Sequence, residues 1–270
     1  MNTKLTKEQI DTYQRDGALV YRSFLSEAEC DQMLKDIEEA IGRMGQDVVA
    51  DLKEYGEVAK PNTDDFYSRV FIQRVNMWKV SDAIKRVFLG PELGEMVSRL
   101  AGVDGMRVWH DQTLQKQPWA NPTAWHLDNP YWSFHSHQAI SIWIALDDAT
   151  VENGCMCYLP GTQKTAEFAR NSTIGKDFGG LFKVYPEWKT LKPIVGTMKR
   201  GDCGFHNGLT AHGAGPNMTP GYRRAMTCAY MPDGSTFNGN KNILPADYMG
   251  TLKIGDLLNN DALNPIVWKK

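Results

Sequence analysis

Apolar positions along this chain repeat with two different periods, and the change falls near residue 105. Before that point helical spacing dominates. In "LTKEQIDTYQRDG" Thr6 stands at an N-cap position with Gln9 three residues on, Ile10 and Tyr13 share a face, and Gly17 can close the helix. "ALVYRSF" then reads as a strand. In "LSEAECDQMLKDIEEAI" Ser26 and Glu29 form a second capping-box pattern, and Met33, Leu34, Ile37 and Ile41 recur at helical spacing. "GPELGEMVSRLAG" predicts a third helix, with Pro91 near its start and Gly102 beyond its end.

After residue 105 the apolar segments shorten and are broken by Gly, Pro and Asn. "GMRVWHDQTLQK", "TAWHLDNPYW", "HQAISIWIAL", "GCMCYLP", "KPIVGTMKRGDCGFHNG" and "RRAMTCAYMP" read as strands or strand ends. Many short strands separated by turn signals predict a β-sandwich or barrel. Asn153-Gly154 reads as a tight turn between two of them. Residues 162–192 have little pattern and read as an insertion or lid. With no evident linker, the expectation is a single domain over 1–270. Its helical part covers about 1–104, its β-barrel core about 105–235 and a C-terminal extension about 236–270.

Composition narrows the function classes. The hydrophobic share is 42%, the charged share 23% and the net charge −2, so neither nucleic acid nor an anionic membrane is an expected partner. The five cysteines contain no C-x-x-C, which argues against a disulfide framework or a cysteine-zinc site and favours a reducing, cytoplasmic setting. No apolar run reaches the roughly 18 residues of a membrane span. The C-terminal "VWKK" is not a peroxisomal address.

Candidate chemistry starts at His126 and Asp128 in "TAWHLDNPYW". Residues i and i+2 of a strand share a face, so the pair can aim at one point. Two histidines and a carboxylate with open positions are the usual site of non-haem Fe(II) oxygenases. H-x-D alone carries little weight, and a third donor must come from a distant strand. "GDCGFHNGLTAHGAGPNMTPGYRRA" offers His206 and His212, while the His135–His137 pair lies in a polar stretch. His110 precedes the motif.

These segments together carry a resemblance. "LTKEQIDTYQRDGALVYRSFLSEAEC", "WHLDNPYW", "ENGCMCYLPGTQK" and "HGAGPNMTPGYRRA", in this order and spacing, resemble the phytanoyl-CoA dioxygenase family of Fe(II)- and 2-oxoglutarate-dependent oxygenases. The resemblance implies a mainly β fold with N-terminal helices, a double-stranded β-helix of the jelly-roll or cupin-like kind. It implies Fe(II) held by His126, Asp128 and His212, with 2-oxoglutarate and O2 as co-substrates. His206 matches a family position that is not a ligand. The family's co-substrate arginine stands eleven residues after the distal histidine, which selects Arg223 over Arg224. Trp143, Gln112 and Arg74 match further co-substrate positions, and Lys116 sits in a family-like turn. Because Asp128 keeps a carboxylate where halogenating relatives have a small residue, hydroxylation or another oxidation is expected. The expected substrate is a small metabolite or natural product, with Trp119, Trp125, Tyr131, Trp132 and Phe134 near the H-x-D as wall candidates. The expected state is a monomer or homodimer. Two alternatives stay open: a metal-dependent cupin-type enzyme that does not use 2-oxoglutarate, and a non-catalytic binding protein on the same fold.

Overall fold

A computed structural model describes residues 1–50, 66 and 69–270. Part of the predicted helical third, residues 51–65, 67 and 68, therefore lies outside the described residues.

Helix α1 spans Lys7–Asp16 and α2 spans Glu27–Met44. Both capping boxes form. Thr6 and Ser26 accept from the backbone N–H of Gln9 and Glu29, whose side chains reach back to the cap N–H. Gly17 ends α1 in the left-handed conformation at φ 73°. A short α3, Asp82–Phe88, leads into α4, Pro91–Ala101, where Pro opens the helix and Gly102 closes it. No helix among the described residues is long and apolar enough to cross a membrane.

The strands are β1 (Ala18–Tyr21), β2 (Ile72–Val75), β3 (Gly105–Lys116), β4 (Thr123–His126), β5 (Ile140–Ala145), β6 (Met156–Tyr158), β7 (Ile194–Gly196), β8 (Cys203–Asn207), β9 (His212–Ala214), β10 (Arg223–Pro232) and β11 (Ile266–Lys269). They form two antiparallel sheets. The larger runs β1-β8-β5-β10-β3-β11 with β2 beside β3, and the smaller runs β4-β9-β6-β7.

Alternation along the large sheet sorts its side chains. Ile140, Ile142 and Ile144 of β5, Phe205 of β8 and Met226, Cys228 and Tyr230 of β10 face outward and pack with α2 and α4 residues such as Met33, Ile37, Val97 and Leu100. The intervening Trp143, Ala145 and Ala225 face inward and meet Met156, Tyr158 and Ala214 of the small sheet. On β3 the parity switches. Met106 and Val108 join the helix-facing core, whereas His110, Gln112 and Leu114 line the interior. A register shift opposite Ala229/Tyr230 makes this possible, since an extra residue in one strand turns all later side chains over.

Residues 162–192 form a packed outer layer. Leu181 and Val184 of α5 (Leu181–Val184), together with Tyr185 and Trp188, cover Trp125, Leu127 and Leu209. The Tyr185 and Trp188 rings stack at 3.8 Å. The expected turn at Asn153-Gly154 is present. Gly154 has φ 84°, and Asn153 accepts from the Thr150 N–H and donates to the Asp148 carbonyl.

Candidate metal centre and co-substrate cavity

His126 ends β4, and the β4–β9 register places it opposite His212, so two imidazoles from neighbouring strands sit with ring centroids 4.1 Å apart. Each ring is oriented by its own chain. His126 Nδ1 lies 2.8 Å from the Ala124 carbonyl and His212 Nδ1 lies 3.0 Å from the Thr210 carbonyl. A carbonyl oxygen only accepts, so both Nδ1 atoms carry hydrogen and both Nε2 atoms present a lone pair. Asp128 reaches the same point by a different route from a plain strand face. It lies past the strand end in a helical conformation (φ −79°, ψ −49°), and the N–H groups of Asp128 and Asn129 donate to the Gly208 carbonyl at 3.0 and 2.8 Å.

Asp128 Oδ1 is 3.4 Å from His126 Nε2 and 3.6 Å from His212 Nε2, and one donor atom from each residue lies within 4.8 Å of the others. Donors bound about 2.0–2.2 Å from a shared ion stand roughly 3–3.5 Å apart, so the set fits a small divalent metal. The second oxygen, Oδ2, is occupied elsewhere: His206 Nε2 donates to it at 3.1 Å and the Ser141 hydroxyl at 3.5 Å. His206 comes from β8 of the large sheet and spends its donor on the carboxylate, outside the donor group. Burial alone would raise the Asp128 carboxyl, but the three histidines, His212 foremost, hold it well below its ordinary value. Burial, and then His126, push His212 far below its ordinary value, so it is neutral and free to ligate.

A cavity of about 240 Å³ runs from these donors between the two sheets to Arg223. Arg223 is 2% exposed and its guanidinium lies 5.0 Å from the Trp143 ring centroid. Its Nε and Nη1 are buried without a hydrogen-bond partner. Burial lowers it from 12.5 to about 10. Lys116, its register partner on β3, is also buried and donates to the Asn121 carbonyl at 2.5 Å. Burial, and then the nearby Arg223 charge, bring it down to about 7. A buried guanidinium with unused donors beside a second cation suits a carboxylate.

The model of the phytanoyl-CoA dioxygenase family matches residues 13–225. The chain belongs to the phytanoyl-CoA dioxygenase family. It is 26% identical over 242 residues to peroxisomal phytanoyl-CoA dioxygenase of Mus musculus, covering 85% of this chain and 69% of that protein. The solved structure of the non-heme alpha ketoglutarate dependent carbocyclase SnoK from nogalamycin biosynthesis is similar at a TM-score of 0.78 and 26% identity, covering 97% and 96% of the two chains. The epimerase SnoN, solved in complex with Fe3+, alpha ketoglutarate and nogalamycin RO, is similar in fold at a TM-score of 0.72 and 22% identity, covering 97% and 98%. The two sheets are thus the double-stranded β-helix of an Fe(II)- and 2-oxoglutarate-dependent oxygenase.

The other site residues expected of a family member divide by strand parity. Gln112 and Trp143 line the cavity. Arg74, expected at the co-substrate, is not among the residues lining the cavity. On β2 it pairs with Thr113, facing away, and its guanidinium donates to the carbonyls of Gln73 and Gly45 at 2.9 and 3.2 Å. Its neighbour Gln73, paired with Leu114, faces inward and donates its amide N–H to the Gln112 side-chain oxygen. Alternation within "IQRV" carried this signal, but a charged residue drew attention from an amide. Arg224 points outward as expected and pairs with Asp147 through two bonds at 2.8 and 2.7 Å.

Of the aromatics near the H-x-D, Tyr131 and Trp132 line the cavity, whereas Trp125 and Phe134 belong to apolar clusters and Trp119 is 70% exposed. His135 and His137 are exposed and both pack on Phe168, with ring centroids 4.5 and 4.9 Å away. His110 lines the cavity, and burial lowers it to about 4. Asn242 and Ile243 of the C-terminal extension also reach the cavity, and no periodicity in that stretch announced them.

Proposed function

We propose that this chain is an oxygenase that hydroxylates an unactivated C–H bond of a small-molecule metabolite or natural product while 2-oxoglutarate is converted to succinate and CO2. The observation that carries this reading is one cavity with the His126–Asp128–His212 donor set at one place and an unpartnered, buried Arg223 guanidinium at another. Unused guanidinium donors in the cavity favour a carboxylate co-substrate over a cupin-type enzyme that does not use 2-oxoglutarate.

In this reading His126, Asp128 and His212 hold Fe(II), and iron with 2-oxoglutarate supplies the oxygen-activating chemistry. The chain's own residues do the positioning. The carbonyls of Ala124 and Thr210 fix both imidazoles in the ligating tautomer. His206 and Ser141 occupy Asp128 Oδ2, which would leave Oδ1 for the metal. Arg223 takes the far carboxylate of 2-oxoglutarate, Lys116 adds positive charge behind it, and Trp143 and Gln112 bound it laterally. Retention of the Asp128 carboxylate supports hydroxylation over halogenation.

The test is succinate formation by purified protein with Fe(II), ascorbate and 2-oxoglutarate across a panel of small metabolites. His126→Ala, Asp128→Ala and His212→Ala are expected to abolish it. Full turnover by Asp128→Ala would remove that residue from the ligand set.

A further inference from the structure

The cavity holds polar groups that neither the metal donors nor Arg223 explains. His110 is 9% exposed and its Nδ1 has no hydrogen-bond partner. Asn242 Oδ1 is likewise buried and unpartnered. Both residues line the cavity. Along β10 the register sets Arg223 beside Lys116 and Ala229 beside His110, so the two backbone positions lie six residues, about 20 Å, apart, while the Arg223 guanidinium reaches back to the Trp143 ring. Ala229 also pairs with Ser141, and Ser141 with His206, which puts His110 level with the residues that hold Asp128. His110 therefore stands beside the metal donors at the end remote from the co-substrate arginine.

The walls at that end are apolar: Val75, Tyr131, Trp132, Ile174 and Ile243. The His110 and Trp132 rings meet edge to face, with centroids 6.5 Å apart at 86°. Tyr131 donates to the Ser172 carbonyl, which ties this wall to the segment carrying Ile174. Ile243 packs against Val49 and Val75. Among the described lining residues Arg223 is the sole Lys or Arg, and Asp128, already engaged by the histidines, is the sole acid. Among the described lining residues a charged substrate finds no unengaged counter-ion at this end.

We propose that this end binds a neutral, ring-sized apolar molecule bearing a hydroxyl group, anchored by His110 and Asn242 beside the reacting carbon. A hydroxyl has one hydrogen and two lone pairs, so it can donate to the Asn242 amide oxygen and accept from His110 when Nδ1 carries the imidazole hydrogen. The family match ends at residue 225, so Asn242 and Ile243 bring to the pocket a recognition element from outside the matched region. The C-terminal extension is thus a specificity-determining segment.

This inference rests on the oxygenase reading of the same site, and the experiment separates the two. Wild-type protein with Mn(II) and 2-oxoglutarate is titrated calorimetrically with 2-naphthol and trans-2-decalol, their methyl ethers, and 2-naphthoate. The alcohols are expected to bind at least about tenfold more tightly than the ethers, and the carboxylate more weakly than either. His110→Phe, which keeps ring volume, and Asn242→Leu, which keeps the side-chain shape without the amide, are each expected to erase most of the alcohol preference. His110→Gln is expected to restore part of it, and 2-oxoglutarate affinity is expected to move less than about twofold in all three variants. Equal binding of alcohols and ethers, a preference that survives both variants, tighter binding of the carboxylate, or no binding by any member overturns the proposal. Loss of metal-dependent 2-oxoglutarate binding in the wild-type protein would instead overturn the oxygenase reading.

Discussion

Arg223→Met is expected to raise the stability of the ligand-free protein while destroying its affinity for 2-oxoglutarate. Burial lowers the Arg223 pKa from 12.5 to about 10, and each pH unit is worth about 1.4 kcal/mol. Because the native pKa lies below the unfolded one, the unfolded chain binds more protons between those values. The cost of about 3 kcal/mol is therefore fully present below pH 10 and is relieved only as pH rises toward 12.5. Contact with the Trp143 face returns about 1 kcal/mol, leaving a net penalty of about 2 kcal/mol at neutral pH. Methionine fills a similar volume without the charge. For a chain of this size the gain corresponds to a Tm increase of about 4–8 °C, read by differential scanning calorimetry without co-substrate. Loss of two charge-assisted hydrogen bonds to the far carboxylate is expected to weaken 2-oxoglutarate by about 3 kcal/mol, or roughly 150-fold, in calorimetric titration. Arg223→Lys, which keeps charge but not the fork, is expected to lose about tenfold. A lower Tm in Arg223→Met together with unchanged 2-oxoglutarate affinity would refute both the buried-charge argument and the assigned role.

Lys116, lowered to about 7 by burial and by Arg223, is expected to take up a proton when the 2-oxoglutarate dianion binds, because the anion raises its pKa. Affinity should then fall as pH rises above 7, and titration in buffers of different ionisation enthalpy should show proton uptake that Lys116→Met removes. The same group makes the ligand-free fold gain stability between pH 7 and 10.5, where the native lysine has lost a proton that the unfolded one keeps. Gly154→Ala is expected to cost about 3 kcal/mol, or about 6–12 °C in Tm, since its Cβ would stand 2.4 Å from the Gly215 carbonyl at a backbone φ of +84°. Ser26→Ala removes the cap of α2 and is expected to cost about 1 kcal/mol in urea unfolding, whereas Ser26→Asp should be near neutral.

Elements whose evidence is local were legible in the chain. Thr6 with Gln9 and Ser26 with Glu29 satisfy backbone donors within one turn, so four residues suffice to announce a helix. The β5 strand "ISIWIA" was equally plain, although its alternation hid between two buried faces: isoleucines turn to the helices while Ser141 and Trp143 turn to the cavity. For β2 a resemblance without a fixed register leaves strand parity open, and parity decides whether Gln73 or Arg74 enters the barrel. The switch of parity within β3 depends on a register shift against β10, a non-local event that "GMRVWHDQTLQK" does not encode by period. Asn242 and Ile243 were invisible for another reason. They lie in an extension whose apolar residues gather with Trp109 and Phe134 of the barrel in one cluster, at positions that follow no regular period in the sequence.

The division of the site between the sheets bears on how its geometry is kept. His126 and His212 stand on β4 and β9 of the small sheet, with Asp128 just beyond β4, whereas Arg223, Trp143, Gln112, Ser141 and His206 stand on the large sheet. No strand carries both a metal donor and Arg223. The separation between the donor set and Arg223, which in the proposed reading must match the length of a five-carbon dicarboxylate, is therefore set by sheet-to-sheet packing. Small residues stand between large ones in that contact: Ala145, Ala149 and Ala225 lie with Trp143 against Met156, Tyr158 and Ala214, all in one buried cluster. Gly204 belongs to the same inner face, and a Cβ there would stand 2.5 Å from the Tyr158 hydroxyl. Small inner residues let two sheets approach closely, and close packing resists displacement because every added methylene must push a neighbour. The bond from His206 to Asp128 is one of the few polar links across this gap, joining the large sheet to the loop that follows β4. Enlarging the alanine cluster would accordingly misalign the metal against Arg223 before it unfolded the barrel, and the reach of 2-oxoglutarate would sense that change first.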